Sequence, residues 1–158
     1  MTHLICDVIN ALSGKTLVTA ESLTGGGIGS ALTAIPGSSK VYKGGIVAYT
    51  NWVKQNLLGV DENVLSRYGA VSASVAQAMA EGARKCLQAD VAVSVTGLAG
   101  PEGDEYGNPV GTVFIGYCDA EKAFAEEYWF SGNREAVRKQ TVRTALEIVL
   151  RNIENTPI

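Results

Sequence analysis

The chain has 158 residues, 46% hydrophobic and 18% charged, with a net charge of −3. That length predicts one domain over residues 1–158, large enough for a core without disulfide or metal staples. The acidic balance argues against broad contact with nucleic acid, which calls for a basic patch. No apolar run approaches the ~18 residues of a membrane span.

The first residues, MTHLICDVINALSG, lack a basic leader and carry Asp7 within the apolar stretch, so no signal peptide is expected. Leu4, Ile5, Val8, Ile9 and Leu12 fall at helical spacing, predicting a helix from Thr2 to Leu12 that stops at Gly14. KTLVTA is then a short buried strand. Past the glycines of ESLTGGG, Ile28, Ala31, Leu32 and Ile35 form a helical face, closed by the turn at Pro36 to Ser39. GGIVAYT is a second strand, with Asn51 as N-cap of a helix through Lys54 and Leu58. A short helix around Asp61 to Ser66 leads to Val71. Ser74 and Gln77 form a capping-box pattern for a long helix whose Val75, Met79, Ala83, Cys86 and Leu87 share a core face. DVAVSVTG is the third strand, and the glycines and prolines of LAGPEGDEYGNP exclude a crossover helix after it. VGTVFIGYC and AFAEEYWF are the fourth and fifth strands, joined by DAEK. The amphipathic helix SGNREAVRKQTVRTALEIVLRNI follows, with Val137, Ala145, Leu146, Val149 and Ile153 facing the core.

These connections predict topology. Helical crossovers make strands 1, 2 and 3 parallel and right-handed, whereas strand 4, joined to both neighbours without helices, is antiparallel. The result is a three-layer α/β/α sandwich with a mixed sheet of order 2-1-3-4-5. Its order reverses between strands 1 and 3, at the carboxyl ends where such sheets bind ligands. Ser22 follows strand 1 and Thr96-Gly97 end strand 3, so both flank that point.

The three cysteines, Cys6, Cys86 and Cys118, are far apart, as expected for reduced thiols in a cytoplasmic protein that act as small apolar fillers. The only histidine is His3, at the N-terminal end, which leaves Ser-His-Asp chemistry without a base. No His, Cys or carboxylate spacing suits a zinc site. Acid–base work must fall to Lys, Tyr, Asp or Glu.

The glycine loop meets none of the standard phosphate or nucleophile motifs. A phosphate loop needs Lys and a hydroxyl residue after its last glycine, but Gly29 precedes Ser30-Ala31. A dinucleotide fingerprint needs Gly or Ala where Ser30 stands, and the acidic ribose ligand is missing. The esterase elbow fails at Ala20 and Thr24. Glycines opening a helix still expose backbone amides to an anion. At this point Ser22 is either a helix cap or a nucleophile.

AESLTGG, VYKGGIVAYTNWVK, GAVS, SVTGLAGP, GNPVGTVFIG and WFSGNREAVR together resemble the C-terminal domain of the competence/damage-inducible CinA family, in one register from about Lys15 to Ile153. Stand-alone members of that family are nicotinamide mononucleotide deamidases. They hydrolyse the substrate carboxamide to give nicotinate mononucleotide and ammonia in pyridine nucleotide recycling, and no cofactor or metal is expected for this chain. The resemblance places the catalytic serine, tyrosine and lysine on Ser22, Tyr49 and Lys54, and implies a homo-oligomer, dimer or higher.

On this view Thr24, Gly25 and Gly26 orient the substrate through backbone amides, and Thr96 and Gly97 contact it. Arg134 and Arg138, at i and i+4, grip its phosphate, unless they are a solvated pair facing Glu126 or Glu127. Tyr49 and Lys54 are expected to act as a coupled pair that activates Ser22. Lys43 is the rival base, placed at the opposite sheet edge. A catalytically silent nucleotide-binding or interaction module of the same fold is the alternative function, and ammonia release separates the two.

Overall fold

A computed structural model describes residues 1–155 of the chain. Its elements are α1 (Thr2–Ala11), β1 (Leu17–Glu21), α2 (Gly27–Thr33), β2 (Tyr42–Val47), α3 (Asn51–Asn56), α4 (Glu62–Tyr68), α5 (Ala73–Cys86), β3 (Val91–Gly97), β4 (Thr112–Cys118), β5 (Ala123–Trp129) and α6 (Arg134–Glu154). A short 3-10 turn, Ser38–Lys40, occupies the segment after Pro36. The sheet order is β2-β1-β3-β4-β5, as the connections predict. β1 runs parallel to both β2 and β3, with Thr19 opposite Gly45 and Val93, while β4 is antiparallel to β3 and β5.

Burial follows position in the sheet. The central strands β1 and β3 are buried on both faces, as parallel strands under two helical layers must be. Edge strand β2 alternates between half-buried and exposed residues. Leu17, Val91, Val93 and Val95 face one layer, packing with Val8, Ile28, Leu32, Leu146 and Val149 of α1, α2 and α6 and with Leu12 just past α1. Val18, Ala20 and Ala92 face the other, against Leu58, Leu65, Val75, Met79 and Ala83. This alternation decides which layer each residue at the strand ends can reach.

Several local expectations shift. Thr50, not Asn51, caps α3, accepting from the Val53 amide at 3.4 Å. Ser72 caps α5 through the Val75 amide at 3.3 Å, while the Gln77 amide turns outward to Glu81. In both cases the helix starts one or two residues earlier than the hydrophobic pattern suggested. Cys86, the last residue of α5, is exposed rather than part of its core face, and Cys6 is half-buried; of the cysteines only Cys118 is buried.

Close backbone approach sets α5 against the α3–α4 connection. A methyl group at Gly82 would lie 1.8 Å from the Leu58 carbonyl oxygen, so only glycine fits there.

Candidate active site

Strand alternation continues past the end of β1. The Ser22 amide donates to the Val95 carbonyl at 3.0 Å, extending the ladder by one residue. Glu21 therefore points to the α2 face, with Leu17 and Thr19, and Ser22 points to the α3–α5 face, with Val18 and Ala20. Across β2 the Ala48 amide donates to the Glu21 carbonyl at 2.8 Å, which keeps Ala48 beside Ser22. Thr50 then starts α3 and brings Lys54 back over this end of the sheet.

Lys54 is 2% exposed. Its Nζ donates to the Ala48 carbonyl at 2.8 Å and to Ser22 Oγ at 3.1 Å. Among the described residues no carboxylate forms an ion pair with it. Burial without a counter-charge disfavours the ammonium form and lowers its pKa to about 8. An ordinary lysine is neutral in only about one molecule in 2,500 at pH 7, whereas here the fraction rises to roughly one in ten. Ser22, itself largely buried, thus faces an amine that can accept its proton.

These two side chains lie in a cleft of about 310 Å³, at the lower end of small-molecule sites. Tyr49, Thr96, Gly97, Gly100, Glu102 and Arg134 also line it. Thr96 hydroxyl donates to the Ala70 carbonyl at 2.8 Å and fixes the floor. At Gly97 a methyl group would meet the Thr112 carbonyl at 2.7 Å, so strand packing alone requires glycine there. Arg134, the first residue of α6, spans the mouth. Its guanidinium donates to the Gly100 carbonyl at 2.6 Å and to the Tyr49 hydroxyl at 3.4 Å.

The predicted Tyr49–Lys54 coupling has a different geometry. Ala48 is buried and Tyr49 is 60% exposed, because successive residues of the extended chain point opposite ways. Tyr49 hydroxyl meets Arg134, and Lys54 alone reaches Ser22. Lys43 lies at the far end of β2, donating to the Gln88 carbonyl at 3.0 Å.

The glycine loop is also arranged differently from expectation. Glu21 fills the amino end of α2: its carboxylate accepts from the Ile28 and Gly29 amides at 2.8 and 3.1 Å and from the Thr24 hydroxyl at 2.6 Å. These helix amides therefore face an internal anion, not the cleft. Thr24, 2% exposed, turns its side chain to Glu21. Gly25 and Gly26, at φ +60° and +99°, form the left-handed turn into α2 and do not line the cleft. Arg138 parts from Arg134, donating to the Leu23 and Thr24 carbonyls at 3.0 and 3.3 Å. Glu126 pairs with Arg151 instead of either. Glu21, Glu102 and the Ala48 carbonyl are the site elements that sequence reasoning missed. Only Glu21 carried a signal, as an acid between a strand and a helix that opens with glycines. Among the described residues there is no group of three or more His, Cys, Asp or Glu that could hold a metal. No described helix is long and apolar enough to cross a membrane.

The model of the CinA C-terminal domain matches residues 3–153. A nicotinamide-nucleotide amidohydrolase PncC of Pseudomonas putida is 47% identical over 134 residues, covering 85% of this chain and 84% of that protein. A CinA-like protein of Endomicrobium trichonymphae is 48% identical over 139 residues, 88% of this chain but 32% of the relative. The chain thus spans about a third of the length of such longer CinA-like relatives. Among solved structures, the competence damage-inducible protein A of Klebsiella pneumoniae superposes with a TM-score of 0.95 at 34% identity, covering 98% of both chains. The competence/damage inducible protein CihA of Agrobacterium tumefaciens gives 0.91 at 40% identity, covering 97% of this chain and 94% of its own.

Proposed function

This chain belongs to the CinA C-terminal domain family, and from that membership we propose that it is a nicotinamide-nucleotide amidohydrolase, converting nicotinamide mononucleotide to nicotinate mononucleotide and ammonia. The relative that carries this activity in its name matches along most of both chains. The observation that carries the reading here is the buried Lys54 Nζ, 3.1 Å from Ser22 Oγ.

Neutral Lys54 takes the Ser22 proton as Oγ bonds to the carboxamide carbon, which the pyridinium ring makes electron-poor. The Lys54 ammonium then protonates the departing nitrogen, the C–N bond breaks, and ammonia leaves an ester on Ser22. Water attacks that ester. Lys54 accepts the water proton and returns it to Ser22 Oγ, and nicotinate mononucleotide departs.

Arg134 binds the phosphate from the mouth of the cleft, with Tyr49 beside it, while Thr96 and Gly97 form the wall against the ring. Arg138 does not join them, because it does not line the cleft and its guanidinium lies on the Leu23 and Thr24 carbonyls. In the same reading the enzyme works in the cytoplasm, needs no cofactor and self-associates, which sedimentation velocity checks.

Ammonia release from a panel of pyridine nucleotides tests the proposal. The wild-type chain should release ammonia from the mononucleotide, and Ser22→Ala should lose nearly all turnover while still binding it. Binding without ammonia from any member of the panel would instead identify a silent nucleotide-binding module.

A further inference from the structure

Two charged side chains in the described structure are almost wholly buried, Lys54 and Glu21, each 2% exposed. The reaction above employs the first and leaves the second without a task. Yet Glu21 is the residue before the nucleophile, and its carboxylate is the most heavily bonded among the described residues. Oε1 accepts from the Thr24 hydroxyl at 2.6 Å and the Ile28 amide at 2.8 Å. Oε2 accepts from the Gly29 amide at 3.1 Å and, more weakly, from the Thr19 hydroxyl at 3.4 Å. These donors belong to the strand before Ser22, the turn after it and the helix beyond.

We propose that Glu21 is the positioning residue of the nucleophile, clamping the turn from Ser22 to Gly26 between β1 and α2 so that Ser22 Oγ stays within reach of Lys54. The ends of the turn are tied by the Ser22 amide to the Val95 carbonyl at 3.0 Å and the Ser30 amide to the Gly26 carbonyl at 2.8 Å, and Leu23 is buried in the core. Between them Gly25 and Gly26 carry no side chains, and the remaining ties are the Gly25 amide to the Ser22 carbonyl at 3.1 Å, the Gly27 amide to the Thr24 carbonyl at 3.0 Å, and Arg138 from outside. Glu21 acts from the opposite face of the sheet, so it holds Ser22 without entering the cleft. Its ionic partner is the helix end rather than Lys54, since no ion pair joins the two.

The inference rests on Ser22 being the nucleophile of the proposed reaction, and its test separates the two. Ser22 reactivity is read with a fluorophosphonate probe followed by intact mass, which requires no nicotinamide substrate, alongside ammonia release from the mononucleotide. In Glu21→Gln one oxygen becomes an NH₂ group that opposes a donor of the turn or helix. A displacement of about 1 Å should lower both the labelling rate and kcat on the order of 10²-fold. KM should hold, because the cleft walls are untouched. The midpoint of the labelling rate against pH should hold as well; a downward shift would mean that Glu21 acts by its charge on Lys54, and would overturn the proposal. Thr24→Val, which removes the 2.6 Å bond, should reproduce part of the loss, and Thr24→Ser should restore it. That pair carries the test if Glu21→Gln fails to fold. Labelling at the wild-type rate in Glu21→Gln, or in Thr24→Val when that pair is used, overturns the inference. Labelling of the wild type without ammonia release overturns the substrate reading and leaves the positioning comparison intact. A wild type that neither labels nor releases ammonia overturns both, and one that releases ammonia without labelling overturns Ser22 as the nucleophile and the positioning role with it.

Discussion

A lysine serves as a general base only where its surroundings make the neutral form accessible, and Lys54 meets that condition by burial alone. Its pKa of about 8 has a direct kinetic consequence. The value of kcat/KM should climb with pH as Lys54 loses its proton in the free enzyme, with a midpoint near 8. A pH-independent rate from 6 to 9 would remove Lys54 as base. The geometry also breaks the symmetry between Lys54 and Tyr49. A coupled pair loses comparable activity when either member is removed. Here Lys54→Met should lower kcat by about 10²–10⁴-fold, the range for a lost general base, and Tyr49→Phe should cost far less. Single-turnover ammonia release at saturating substrate measures both, and equal losses would restore the coupled pair.

At the scale of elements, the first turns of α6 divide work that the sequence assigned jointly. Arg134 and Arg138 are one turn apart, but the first faces the mouth of the cleft and the second faces the carbonyls of the loop after Ser22. Arg134→Ala should raise KM for the mononucleotide and matter little for the corresponding riboside, which has no phosphate. Arg138→Ala should affect both substrates equally, through kcat, because it loosens the loop after Ser22. A phosphate-selective effect of Arg138→Ala would reverse this division. A second test concerns α5. Ala is the better helix former by about 1 kcal/mol, yet Gly82→Ala should destabilise the fold by about 1–3 kcal/mol, the usual cost of overpacking. The methyl group would collide with the Leu58 carbonyl, and Leu58 belongs to the segment that returns from Lys54. Urea denaturation reads this effect, and a more stable Gly82→Ala would show that α5 can move aside.

For the whole molecule, the buried lysine is a stability cost that depends on pH. The unfolded chain holds the Lys54 proton up to about 10.5 and the folded chain only to about 8. Between those values the unfolded state binds more protons, so this contribution to stability rises with pH and the penalty is fully present below 8. Relative to Lys54→Met, the wild type should gain about 2–3 kcal/mol between pH 7 and pH 10. Denaturation of both proteins at the two pH values checks the sign, and a constant difference would mean that Lys54 titrates normally in the fold.

Much of this architecture is legible in the sequence by itself. Hydrophobic period, glycine and proline punctuation and the lengths of connections determine the element order. The absence of a helix between Gly97 and Thr112 makes β4 antiparallel, and the helical crossovers make β1, β2 and β3 parallel. That places Ser22, Thr96 and the approach of Lys54 at one end of the sheet, because chain connectivity alone sends them there. The direction of each side chain at that end is set instead by packing between the layers. Strand alternation sends Glu21 to α2 and Ser22 to Lys54. The same alternation sets Ala48 under the lysine and Tyr49 at the mouth. The amides of α2 look available to an anion in sequence, but they are already satisfied by Glu21. Arg134 and Arg138 have the same residue type and neighbouring positions, and differ only in which loops pack beside them. A spacing rule fixes where a residue lies along an element; which group it meets depends on contacts between segments distant in the chain, and no local pattern encodes those.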